Sequence, residues 1–177
     1  MDRHLKPIPC ATSCFSTTFE SRVQSPPQLI LFNPMFTPTQ DDVRRFFCET
    51  FRKQRSNEIL TPLEAIAADW IALHPEYAEV LADIDAALAA DYSVEQGQSN
   101  PFLHLSMHLS IAEQVSIDQP PGIRLAHRAL TQRLDSTHDA HHQMMECLGE
   151  MIWNSQRNGL PPDGVAYIEC VKRRASA

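Results

Sequence analysis

Apolar residues recur every three or four positions from Thr37 to the C-terminal end, and oxygen-bearing residues followed by proline punctuate the pattern, so it predicts a chain of helices. Thr37-Pro38, Thr61-Pro62 and Asn100-Pro101 each place a cap ahead of a proline whose missing N–H costs nothing in the first turn. The first helix is expected to run to about Arg55, with Val43, Phe46, Phe47, Thr50 and Phe51 inward and Arg44, Arg45, Arg52 and Lys53 in water. Thr61 and Glu64 have the spacing of a capping box, and a second helix over 62–73 turns Leu63, Ile66, Ala67, Trp70 and Ile71 inward before His74-Pro75 breaks it. Short helices over 75–81 and 84–90 precede a loop at Gly97.

Asn100 opens a helix to Ile117 that is apolar on more than half its circumference (Phe102, Leu103, Leu105, Met107, Leu109, Ile111, Val115), as a central helix must be. Asp118 is expected to cap the next, which starts at Pro120-Pro121 and buries Ile123, Leu125, Ala126, Leu130 and Leu134. Ser136 caps a long helix carrying Met144, Met145, Leu148, Met151, Ile152 and Trp153, which ends at Asn158-Gly159 ahead of Pro161-Pro162. A last helix from Asp163 presents Val165, Tyr167, Ile168 and Val171. No alternating β pattern competes, so the expected class is all-α: a compact multi-helix bundle in a single domain over 35–177. Residues 1–34, rich in Ser, Thr and Pro without either period, are expected to form a disordered extension to which only Leu29-Ile30-Leu31-Phe32 offers apolar contact.

Composition narrows the functional classes. A formal charge of −7 opposes binding to a phosphate backbone, and the only basic run, Lys172-Arg173-Arg174, sits where it complements a helix C-terminus; nucleic acid is not an expected partner. No apolar stretch approaches membrane length and no secretion signal follows Met1, so a cytoplasmic protein without membrane contact is expected. Cys10, Cys14, Cys48, Cys147 and Cys170 show no Cys-x-x-Cys spacing, which reads as reduced thiols, with Cys147 an inert thiol buried in a helix. The methionines lie among leucines at helical spacing and read as core fillers. Neither a nucleophile elbow nor a glycine-rich phosphate loop is present in the sequence.

Eight histidines remain, six of them between His104 and His142. His104 and His108 lie one turn apart on the central helix, and His138, His142, Glu146 and Glu150 follow at steps of four on the long one, so each set projects from one face. If the two helices are antiparallel neighbours, His104 and His108 face His142 and Glu146. Three imidazoles and a carboxylate suit Zn, Fe or Mn, with His138, Glu113 and Glu150 in reserve. These spacings resemble the His-x-x-x-Glu and His-x-x-x-His of hemerythrin-type diiron bundles, with His108 and Glu113 standing for a His-x-x-x-x-Asp, although the order along the chain differs. A redox or hydrolytic role would require an open coordination position. The competing reading makes the same residues a hydrogen-bonded polar network in a non-enzymatic scaffold that binds a protein partner, with His141 or His142 in solvent, His138 and Asp139 in a first-turn capping role and Glu146 and Glu150 a wetted stripe; oligomeric state is left open.

Longer strings carry a resemblance. Phe32-Asn33-Pro34, Val43-Arg44-Arg45-Phe46-Phe47, Thr61-Pro62-Leu63-Glu64, His74-Pro75-Glu76-Tyr77, Asn100-Pro101-Phe102-Leu103-His104-Leu105-Ser106-Met107-His108-Leu109, Asp118-Gln119-Pro120-Pro121-Gly122-Ile123 and Met145-Glu146-Cys147-Leu148-Gly149-Glu150 resemble the proteobacterial domain-of-unknown-function family 1841. The resemblance spans about Phe32 to Arg174 and implies that residues before Phe32 lie outside the shared domain. It implies no activity and carries over no catalytic residue.

Overall fold

A computed structural model describes residues 38–92 and 100–177. Eight α-helices follow in order: α1 Gln40–Arg55, α2 Pro62–Ala72, α3 Ala78–Ala82, α4 Ile84–Ala89, α5 Pro101–Ile117, α6 Ile123–Leu134, α7 Thr137–Asn158 and α8 Gly164–Ser176, with a 3-10 turn at Pro75–Tyr77 leading into α3. No strand occurs among the described residues. The expected extension over 1–34, its Leu29–Phe32 run and the Gly97 loop lie outside them.

Most boundaries follow the caps. Thr61 and Glu64 form the reciprocal box, Thr61 N donating to Glu64 Oε2 at 2.8 Å and Glu64 N to Thr61 Oγ1 at 3.3 Å; such a cap contributes about 1 kcal/mol. Asn100, Ser136 and Asp163 accept first-turn amides of α5, α7 and α8, and Gly159, at φ 63°, ends α7 in the left-handed region that glycine enters without penalty. Two starts differ from the sequence expectation. The first helix is capped by Thr39, not Thr37, because Thr39 finds a reciprocal partner in Asp42. Asp118 ends α5 rather than starting α6; its carboxylate reaches forward to accept from the amides of Gly122 and Arg124, so α6 begins three residues after Pro120.

Two apolar cores form. Phe47, Ala67, Ile71, Leu81, Ala87, Phe102 and Leu105 join α1 to α4 and the first half of α5. Ile111, Ile123, Leu130, Met144, Leu148, Tyr167 and Val171 join the second half of α5 to α6, α7 and α8. Helix α5 thus runs through both cores, with Leu105 on one side and Ile111 on the other. His108, fully buried, lies between them. The seam between the two cores is where the polar chemistry sits.

Several side chains depart from the faces assigned by periodicity. Leu63, Leu103, Leu125, Ile152, Trp153 and Val165 are exposed. Arg44, expected in water, is buried: its Nη1 donates to the carbonyl oxygens of Ala87, Leu88 and Ala90 at 3.1, 3.0 and 3.0 Å. Those carbonyls lie at the C-terminal end of α4, where no following turn supplies amide donors, and the guanidinium supplies them instead. Arg44→Ala is expected to destabilise the domain by about 2–4 kcal/mol, since one buried and two half-buried acceptors lose a charged donor. Urea denaturation measures it, and a midpoint unchanged from the parent would refute the role.

Cys147 and Cys170 correct the expectation of reduced thiols. They are joined in a disulfide that ties α7 to α8 within the second core. Their separation of 23 residues on two helices leaves no local spacing signal. Cys48 is free and buried, and burial pushes its thiol up to about 11.

Candidate metal centre

Three elements deliver imidazoles to the seam. His74 stands at the break between α2 and the 3-10 turn, where Pro75 forbids the helix to continue. His104 and His108 come from α5, and His138 and His142 from α7. Short contacts link the five Nε2 atoms, and four of the residues bring their donors within ligand distance of one another. His74 Nε2 lies 2.8 Å from that of His108, 3.3 Å from that of His104 and 3.3 Å from that of His138. His104 Nε2 lies 3.2 Å from that of His108 and 3.2 Å from that of His142. Ligand nitrogens of His74, His108, His138 and His142 all fall within 4.8 Å of one another, so the group can hold a metal ion. With metal–nitrogen bonds of about 2.1 Å, adjacent donors sit about 3.0 Å apart at right angles and about 3.4 Å apart in a tetrahedron, the spacing found here.

The outer nitrogens are held separately. His74 Nδ1 donates to Glu76 Oε1 at 2.8 Å, which places the hydrogen on Nδ1 and aims the Nε2 lone pair of the neutral ring into the cluster. This bond holds the Glu76 carboxyl below its ordinary value. His108 Nδ1 faces Nδ1 of His141 at 3.4 Å. Trp70 stacks against both rings, each centroid 4.1 Å from its own, and closes the inner side to water. Burial, reinforced by the neighbouring rings, lowers His108 to about 2, His141 to about 3 and His104 to about 4, and lowers His142 as well. Desolvation penalises the imidazolium, so these rings present lone pairs at neutral pH.

Of the residues singled out from the sequence, the structure brings together His104, His108, His142 and the reserve His138. Glu146 is not among them. It points to α8, where Arg174 Nη1 meets its Oε2 at 2.7 Å, and it is mostly exposed. The antiparallel facing of α5 and α7 sits one turn earlier than expected: His104 meets His142, and His108 lies beside His138 and His141. Glu150 is exposed. Glu113, raised by partial burial, contributes no ligand to the group. His141, which the scaffold reading offers to solvent as an alternative to His142, is buried behind His108. Glu146→Gln is therefore expected to leave metal content unchanged, by elemental analysis beside the parent protein; loss of metal would reinstate the carboxylate as a ligand.

Sequence reasoning passed over His74, whose pre-proline position marks it as a helix breaker. Its one available signal was Glu76 two residues on, a carboxylate positioned to orient an imidazole.

None of the helices among the described residues is long and apolar enough to cross a membrane. No curated protein and no solved structure shows significant similarity to the chain. A family model described as a domain of unknown function, DUF1841, matches residues 39–173, and the chain belongs to that family.

Proposed function

We propose that this protein is a metalloprotein that binds one divalent transition-metal ion through the imidazole nitrogens of His74, His108, His138 and His142, with His104 packed against them. One observation carries the reading. His74 Nε2 has three nitrogen neighbours within 3.3 Å, and so does His104 Nε2. An imidazole nitrogen offers a single hydrogen or a single lone pair, so it can make one good hydrogen bond and not three. A purely hydrogen-bonded network, the scaffold alternative, therefore leaves buried lone pairs opposed to one another, at the cost that attaches to unsatisfied buried polar groups. A cation at the common point satisfies every lone pair at once.

The donor set also narrows the ion. Neutral imidazole nitrogens with no anionic oxygen favour iron(II), cobalt(II), nickel(II), copper(II) or zinc over magnesium and calcium, and with Glu146 outside the cluster manganese loses the oxygen donor that suits it. Four imidazole donors are the number that zinc takes, and iron(II), cobalt(II) and nickel(II) add further ligands to such a set. The test uses untagged full-length protein loaded anaerobically with each ion, desalted and submitted to elemental analysis. About one equivalent per chain is expected for at least one ion; less than about a tenth of an equivalent of every ion rejects the proposal.

A further inference from the structure

Resting on the four-imidazole site, we infer that His141 is a positioning residue for it: through a buried hydrogen bond it turns the Nε2 edge of His108 toward the ion. His108 meets the cluster through Nε2, 2.8 Å from that of His74, so a neutral ring that gives this lone pair to a metal carries its hydrogen on Nδ1. That Nδ1 faces Nδ1 of His141 at 3.4 Å. A single hydrogen lies between the two nitrogens, and ligation requires it on His108. His141 is therefore the acceptor, and its own hydrogen sits on Nε2.

Packing alone does not set this edge. Trp70 lies against both rings, at 15° to His108 and 31° to His141, and the two imidazoles are 22° from coplanar. Stacking fixes the plane of His108 and is indifferent to its edges. Turned over by a half-rotation about its Cβ–Cγ bond, the ring would stack as well with carbon in place of each nitrogen. The bond to His141 separates the two orientations, because a carbon edge would leave a buried His141 nitrogen unpaired. His141 is 2% exposed, and His127 of α6 crosses it at 80° with centroids 5.2 Å apart, which holds the acceptor in place.

The outer partners of the other ligands differ in kind. Glu76 on His74 and Asp139 beside His138 are exposed carboxylates within two residues of their imidazole. His141 is buried and comes to His108 across 33 residues of sequence, from the helix that carries His138 and His142. The bond joins α5 to α7 without help from an ion, so the edge of His108 is set before the ion arrives.

Zinc-loaded full-length protein with isotope-labelled histidines tests the assignment directly. Long-range proton–nitrogen NMR correlations are expected to show His141 with its hydrogen on Nε2; a hydrogen on Nδ1 overturns the inference. Two variants read the consequence by competition against a chromophoric chelator. His141→Phe keeps a ring under Trp70 but puts carbon in the place of Nδ1, and zinc affinity is expected to fall about 10–100-fold. His141→Asn puts its Oδ1 in that place and is expected to recover most of the loss, although it fills the space less well. Unchanged affinity in His141→Phe, or a His141→Asn no better than His141→Phe when both are as helical as the parent, overturns the inference and leaves the site standing. Absence of zinc uptake by the parent overturns the inference, and absence of uptake of every ion overturns the site as well.

Discussion

Replacing His74 with alanine is expected to weaken binding of the ion at least about a hundredfold, beyond what loss of an orienting partner alone costs. The expectation rests on position. His74 Nε2 lies within 3.3 Å of three other imidazole nitrogens of the cluster, and His74 is the one proposed ligand delivered from outside the two long helices. Its removal leaves α5 and α7 facing each other with a gap where their two pairs of rings are bridged. Glu76→Gln isolates the orienting bond: the amide can accept from Nδ1 as the carboxylate does but carries no charge, so affinity is expected to fall about 10–100-fold with the ligand set intact. Competition against a chromophoric chelator measures both. Free imidazole added to His74→Ala should restore part of the affinity, which a merely misfolded variant would not allow. Unchanged affinity in His74→Ala, with helicity preserved by circular dichroism, would place the ion elsewhere or nowhere.

The sequence announces the helices because each cap is a local event. Thr61 with Glu64, Asn100 with Pro101, Ser136 and Asn158-Gly159 mark ends through atoms within a few residues of one another, and the structure uses all of them. Where two local signals compete the choice is less legible: Thr37-Pro38 and Thr39 with Asp42 both announce a start, and the reciprocal hydrogen bonds of the second decide it. The same limit governs burial. Arg44 lies inside because the carbonyl ends of α4, more than forty residues away, need a donor, a demand that no window around residue 44 contains.

The metal centre divides along the same line. Steps of four place His104 with His108, and His138 with His142, on common faces, and this much follows from helical geometry. Which turn of α7 meets α5 is set by packing of Ile111, Met144 and Leu148 in the second core, and it places His138 rather than Glu146 at the meeting point. His74 enters through tertiary position alone. A proline that stops a helix also leaves the preceding side chain at the helix end, here directed into the seam between the two cores. The cysteine pair is invisible for the same reason: Cys147 and Cys170 become neighbours only once α8 folds back along α7.

Loading the ion is expected to raise the melting temperature by roughly 8–16 °C when free metal stands about a thousandfold above Kd, since such binding adds about 4 kcal/mol and a domain of this size gains about 2–4 °C per kcal/mol. The gain is expected to vanish in mild acid, and the metal-free protein should weaken there as well. For the metal-free chain the sign follows from the histidines. Their folded values lie below the ordinary 6.5, at about 2 for His108 and about 3 for His141, so the unfolded chain binds more protons. That stability is fully present above pH 6.5 and declines as pH falls below it, with a slope of up to about 1.4 kcal/mol per pH unit for each buried ring that unfolding frees to protonate. Between pH 6.5 and about 5.5 an unfolded glutamate, with its ordinary value of 4.5, is still largely ionised, so the decline in that window belongs mainly to imidazoles. Below it the lowered carboxylates such as Glu64 add to the decline. Calorimetric scans of loaded and chelator-treated protein from pH 8 to 4.5 test both halves. A flat profile for the metal-free protein would mean that the rings are solvated rather than packed in the seam. Identical profiles with and without metal would mean that no ion bridges the two cores.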